Sequence, residues 1–244
     1  MALKENRGYF GDTLATYPRL ATILGLDSKA PIPQITAEHL KRSTGTPISP
    51  KLIDKSEALC KERIITGDGV DLLKLPVPMT LEGDGGRYLD TWHFVVAKDP
   101  ENGDVNWGTY QIAVYDSKTL VGPLLPFSDM GKMLPGNCSF EGKTLHFAMV
   151  IGPDPISAIA SCASSSIPEP DLAGLMMGKP VELVKCETCD LEVPAHAQII
   201  IEGEVLRTSA REARTIYRIK CITCRRTRLP LFPTWAYPLV KVNL

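Results

Sequence analysis

The sequence predicts an α+β fold from three observations. Helical patterns cluster near the start and in two later stretches, the middle from about 64 to 205 is strand-rich, and Pro and Gly punctuate it often. Residues 13–26 (TLATYPRLATILGL) form the first helix, with Pro18 near its start and Gly25 near its end. Residues 36–43 and 53–61 are short helix candidates. Trp92, Phe94 and Val96 alternate with His93 and Val95, as in a half-buried strand. Residues 99–104 (DPENGD) turn the chain, because Pro presets φ and Asn-Gly accepts positive φ. A second strand opens on Asn106-Trp107-Gly108 and continues with Tyr110, Ile112 and Val114 alternating with Thr109, Gln111 and Ala113. Residues 128–134 make a helical turn. Residues 153–161 and 169–177 are helices, the latter beginning at a proline.

Composition narrows the function classes. The chain has 244 residues, 44% apolar and 23% charged, with a net charge of −1. That supports a real core in one large or two small domains and offers no basic field for nucleic acid. No apolar run reaches membrane-spanning length. The opening MALKENRGYF has no apolar signal core, so a cytoplasmic location and no membrane partner are expected.

Cys186-Glu-Thr-Cys189 and Cys221-Ile-Thr-Cys224 are two CxxC pairs, nominally a four-thiolate zinc pattern. Both lie in β-patterned segments without the Gly or Pro of a zinc-binding turn. A strand would point the two cysteines of each pair to opposite faces, so buried or edge thiols are expected instead.

Residues 84–111 (DGGRYLDTWHFVVAKDPENGDVNWGTYQ) resemble the UbiD family of flavin-dependent carboxylate decarboxylases. The family pattern is DGGRY, a strand, DPxxG, then N-x-G-x-Y-R. Leu172-Ala173-Gly174, Asp190-Leu191-Glu192-Val193-Pro194-Ala195 and Ile201-Glu202-Gly203-Glu204 extend the likeness, which runs over about residues 6–232. It implies a split β-barrel flavin-binding domain with a small N-terminal α/β segment. Residues 1–80 are then a partial N-terminal segment, 81–228 the barrel, and 229–244 an apolar tail suited to a homo-oligomer contact.

The resemblance also implies a site. Asn106, Asp129 and Glu169 fall at or near the positions that hold Mn²⁺ or Mg²⁺ against the phosphate of prenylated FMN or FMN. Oxygen donors suit those ions. Asn106, Trp107, Thr109, Tyr110, Ser161 and Cys162 fall where the family binds the cofactor and a K⁺ ion. The residues alone admit plainer readings. Asn106 could be a turn residue, Glu169 a helix-start acid, Asp129 a helix cap, and 161–166 (SCASSS) a loop.

At the catalytic core the sequence departs from the family. The arginine after the tyrosine is replaced by Gln111, a neutral amide without a charged fork. The paired-glutamate stretch is replaced by residues 205–215 (VLRTSAREART), whose acid is Glu212. Gln111, His93 and Glu212 are the catalytic candidates, with a surface reading for Glu212 and a hydrogen-bonded core reading for His93 and His196. The expected activity is a divergent carboxy-lyase on an aromatic or α,β-unsaturated acid, a small-molecule carboxylic acid. The alternatives are acid–base cyclisation or isomerisation without flavin, and a non-catalytic flavin-binding or partner subunit.

Overall fold

Proline placement sets the first elements. Pro18 and Pro33 occupy the opening turns of α1 (Tyr17–Ile23) and α2 (Ile32–Arg42), where a missing N–H costs nothing. The computed structural model describes residues 16–75, 77, 79, 83–89, 92–134, 145–207 and 215–226. The pair Pro31–Pro33 starts α2 four residues earlier than the predicted 36–43. The predicted helix over 53–61 is instead two 3₁₀ turns, Lys55–Glu57 and Leu59–Lys61, separated by the extended backbone of Ala58. Asp54 caps the first by accepting from the Ser56 N–H at 2.9 Å.

The strands are β1 (Lys51–Leu52), β2 (Arg63–Thr66), β3 (Arg87–Tyr88), β4 (His93–Lys98), β5 (Val105–Gly108), β6 (Ala113–Val114) and β7 (Thr119–Gly122). They continue with β8 (Leu145–Ile151), β9 (Glu182–Lys185), β10 (Glu192–Pro194), β11 (Ile199–Arg207) and β12 (Thr215–Cys224). Among the described residues the large sheet runs β3-β6-β7-β12-β11-β8-β4-β5, with β2 also on β12. A small sheet, β1-β9-β10, stands beside it. Both sheets combine strands from before and after residue 80. The expected α+β class with a barrel-like sheet is what is found.

Both faces of the large sheet are covered. Phe94, Val96, Trp107, Ala148, Val150 and Ile200 pack under Ile156, Leu172 and Ala173 of α4 (Pro155–Ala160) and α5 (Glu169–Met177). Val95, Ala97, Phe147, Met149 and Ile201 fill the opposite face with Tyr217 and Leu120. So β4 is buried from His93 to Ala97, where alternation alone suggested a half-buried strand. The second predicted strand also stops early. β5 ends at Gly108, and residues 109–112 leave the ladder before β6. At Gly203 the register of β11 and β12 shifts, and a Cβ there would lie 2.2 Å from the Arg218 carbonyl oxygen. This bulge curls the sheet into a half barrel.

One buried ion pair joins the layers. Glu202 on β11 is fully buried, and Lys61 reaches it with its ammonium at 3.1 Å. The Glu187 and Thr188 N–H groups and the Thr188 hydroxyl donate to the same carboxylate at 2.8–3.0 Å. Burial is the largest influence and works to lower the Lys61 pKa, but the charge and hydrogen bond of Glu202, with Cys186 and Cys60, together hold the ammonium above its ordinary 10.5.

Lys61→Ala is expected to destabilise the fold by about 3–5 kcal/mol, because it strands the buried Glu202 charge. Urea unfolding at neutral pH measures the loss. The folded pKa of Lys61 is raised, so its contribution is complete below 10.5 and fades as pH rises through the higher folded value. The wild-type advantage over Lys61→Ala should therefore shrink in strongly alkaline buffer.

Candidate functional site

Tyr110 organises the end of β5. After Gly108 the chain folds back so that the Tyr110 ring lies over that glycine, and a Cβ at Gly108 would sit 2.8 Å from the Tyr110 hydroxyl. The hydroxyl, half-buried, accepts from the Asn106 amide at 3.3 Å and from the Met130 N–H at 3.2 Å. Met130 belongs to α3 (Asp129–Lys132), which Ser128 caps by accepting from the Gly131 N–H at 3.2 Å. The fold-back thus brings Asn106 and Asp129 to one place.

Glu169 arrives from the third side. It opens α5, and its carboxylate accepts the Trp107 N–H at 3.2 Å. Burial raises its pKa above the usual carboxylate value, and the charge of Asp129 raises it further. Burial likewise raises the Tyr110 phenol, with Asp129 and Glu169 adding to the rise. Asn106, Asp129 and Glu169 therefore surround Tyr110 closely enough to feel one another. Asp129 leans to solvent, 70% exposed, and pairs with Lys132 at 2.8 Å.

The donor set fits a hard divalent cation: an amide and two carboxylates, all offering oxygen, with two acids repelling across the site. A bound cation would relieve that repulsion. The indole of Trp107 stacks on Phe94 with ring centroids 4.6 Å apart, fixing the backbone that meets Glu169.

The other candidates take varied places. His93 is buried and donates from Nε2 to the Tyr110 carbonyl at 3.0 Å, since a carbonyl only accepts. It holds the backbone that carries Gln111. Gln111 and Thr109 are exposed beside the site. Ser161 is buried at the end of α4 and donates to the Ala158 carbonyl at 2.9 Å, while Cys162 is exposed. Glu212, the apolar tail at 229–244 and the stretch before Thr16 lie outside the described residues. His196 pairs with Glu182 at 2.7 Å on the surface, away from this cluster.

One expectation about the cysteines fails. Cys186 and Cys189 are not on a strand but in the turn between β9 and β10, closed by the Cys186 N–H on the Leu191 carbonyl at 2.8 Å. Their sulfurs and a Glu202 oxygen lie within 4.8 Å of one another. Cys221 and Cys224 do lie on a strand, β12. The sequence reading also missed Lys61, Glu202 and the hub role of the Tyr110 hydroxyl. The Tyr two residues after Gly108 was the available signal for the last.

Comparisons with known proteins agree with this fold. The family described as UbiD, 3-octaprenyl-4-hydroxybenzoate carboxy-lyase Rift-related domain, matches residues 51–216. Pyrrole-2-carboxylic acid decarboxylase of Pseudomonas aeruginosa is 31% identical over 204 residues, covering 81% of this chain and 40% of that protein. Ferulic acid decarboxylase 1 of Candida dubliniensis is 32% identical over 205 residues, covering 81% and 38%. The chain thus spans well under half the length of these relatives. Vanillic acid decarboxylase of Sedimentibacter hydroxybenzoicus, in its closed form, superposes with a TM-score of 0.83 at 27% identity, covering 94% of this chain and 53% of that one. HmfF of Pelotomaculum thermopropionicum, solved with FMN, superposes with a TM-score of 0.76 at 28% identity, covering 90% and 51%.

Tyr110→Phe is expected to cost about 1–3 kcal/mol, because the buried Asn106 amide and the Met130 N–H both lose their acceptor. Thermal or urea unfolding reads this. An unchanged midpoint would show that the hydroxyl does not organise the junction.

Proposed function

The chain belongs to the UbiD family of carboxy-lyases, and on that premise we propose that it serves the decarboxylation of an aromatic or α,β-unsaturated carboxylic acid on a flavin held where β5, α3 and α5 meet. The observation that carries this reading is the gathering of Asn106, Asp129 and Glu169 around Tyr110. A flavin bound there, FMN or its prenylated form, would supply a sink for the electron pair left when the bond to the carboxyl carbon breaks. Asn106, Asp129 and Glu169 would hold Mn²⁺ or Mg²⁺ beside its phosphate. The backbone from Asn106 to Tyr110, with Ser161 and Cys162, would cradle the cofactor and a K⁺ ion. Tyr110 orients the Asn106 amide, leaving its oxygen for the cation, and the Glu169 charge becomes favourable once a cation answers it.

On the substrate side, His93 fixes the Tyr110 carbonyl and so the backbone leading into Gln111. Gln111 offers a neutral amide donor to the substrate carboxylate. Charge-assisted bonds are about twice as strong as neutral ones, so this grip is weak and slow turnover is expected. That same residue supports a second reading, a flavin-binding subunit that does not itself release CO₂. In either case we propose a cytoplasmic homo-oligomer, joined through the tail after Leu229, with a barrel that adds β2 (Arg63–Thr66) to residues 81–228.

Titration of the full chain with FMN, with and without Mn²⁺, tests the site. Binding should depend on Mn²⁺ and weaken at least about tenfold in Asn106→Ala/Glu169→Ala, as expected when ion ligands are lost. Unchanged affinity in the double variant would overturn the proposal. CO₂ release from a cinnamate-type or pyrrole carboxylic acid by flavin-loaded protein separates the two readings: slow release supports the lyase, and flavin binding without release supports the subunit.

A further inference from the structure

The turn between β9 and β10 carries a second centre. Cys186 and Cys189 flank Glu187 and Thr188, whose backbone N–H groups are clamped on the Glu202 carboxylate at 2.8–3.0 Å. The clamp bends the chain so that the two sulfurs lie within 4.8 Å of each other, both half-buried. A metal is poorly served here. The Glu202 oxygens already take bonds from Lys61, Glu187 and Thr188, and the Lys61 ammonium fills the place a cation would neutralise. Lys61 also pairs with the Glu187 carboxylate at 3.3 Å. What the arrangement leaves free is the thiols themselves.

We propose that Cys186 and Cys189 form a reversible disulfide by thiol–disulfide exchange with a small cellular disulfide such as oxidised glutathione. Cys189 attacks first. Its thiolate displaces one sulfur of the small disulfide, which leaves as a thiolate and takes a proton, and Cys189 is held as a mixed disulfide. Cys186 then gives up its proton, attacks the Cys189 sulfur, and expels the second small thiol. One protein S–S bond forms, two small thiols are released, and the two electrons lost by the cysteines reduce the small disulfide. Closure would bring the sulfurs from within 4.8 Å to about 2.05 Å.

The order of attack follows from the surroundings. A hydrogen bond from Cys186 lowers the Cys189 pKa, so the second cysteine of the pair carries the better thiolate and the first stays protonated. The same bond and burial raise Cys186. The two neighbouring thiols are held out of the chemistry: burial pushes Cys60 up to about 11 and Cys221 up to about 12. Cys60 and Cys221 are thereby kept out of the exchange at the turn.

The test uses the full chain in mixtures of reduced and oxidised glutathione, quenched in acid, alkylated after unfolding and digested with trypsin. As the oxidised fraction rises, the peptide beginning at Cys186 should lose two hydrogen masses and its alkyl labels together, and dithiothreitol should restore them. Cys60 and Cys221 should stay alkylatable. Cys186→Ser should trap a glutathione adduct on Cys189, forming at least about tenfold faster than the adduct on Cys186 in Cys189→Ser, as thiolate control of the rate requires. Circular dichroism confirms that both variants are folded. Free thiols in excess oxidised glutathione, an adduct that never closes in the wild type, bonding to Cys60 or Cys221, or protection by stoichiometric zinc would each overturn the proposal.

Discussion

The Glu202 carboxylate is the constraint on which the rest of the structure depends. It lies in β11 with no exposure, and it binds Lys61 from the 3₁₀ turn at 59–61 together with Glu187 and Thr188 from the turn between β9 and β10. A carboxylate has about four lone-pair sites, and here they are filled. Beyond the core they share, the small sheet is thereby tied to the large one by this side chain. The same residue lies in a transverse row of the large sheet: Glu202 opposite Ala148, Ala148 opposite Val96, and Val96 opposite Trp107. Val96, Ala148 and Trp107 share one packed face. The backbone that meets Glu169 is therefore the far end of a row anchored at Glu202.

At that end a second constraint takes over. β5 stops at Gly108 because the next residues must turn Tyr110 back over it. A continued strand would have put Tyr110 and Asn106 four residues apart on one extended segment, about 13 Å from end to end and out of hydrogen-bond reach. The fold-back puts the phenol against the amide and lets it collect Met130 as well. His93 secures the turn from the neighbouring strand through the Tyr110 carbonyl. A strand, a helical turn and a helix start are thus held together by one hydroxyl and one backbone N–H.

Much of this was legible in the residues. The α+β class and the helix over 169–177 follow from Pro, Gly and apolar spacing, which act locally. The gathering of Asn106, Asp129 and Glu169 was legible only through likeness to a family, since they lie up to 63 residues apart in the chain. Two misreadings have physical causes. Alternation on β4 suggested a wet face at His93 and Val95, but the curled sheet closes over that face with Leu120, Met149, Ile201 and Tyr217, and no local pattern shows such a cover. The spacing of Cys186 and Cys189 suggested a strand, but Glu202, thirteen residues beyond Cys189, pulls the segment into a turn. Lys61 and Glu202 look like ordinary surface charges until the fold pairs them.

The fully buried Glu202 and the half-buried Glu169 show how the fold divides stability from function. Glu202 is drawn out of water within β11, and Glu169 part-way out at the start of α5. Glu202 meets a full ammonium and the donors of Glu187 and Thr188, so its charge is answered inside the protein. Glu169 receives the Trp107 N–H, faces the like charge of Asp129, and keeps a raised pKa because burial outweighs its hydrogen bonds. No Lys or Arg pairs with Glu169 among the described residues, while Lys132 is spent on the exposed side of Asp129. Leaving one acid uncompensated costs stability that a packed core could easily have avoided by a neutral residue. On the proposed reading a cation at the β5, α3 and α5 junction would recover that cost, while the fully buried Glu202 is already answered and serves as a structural joint.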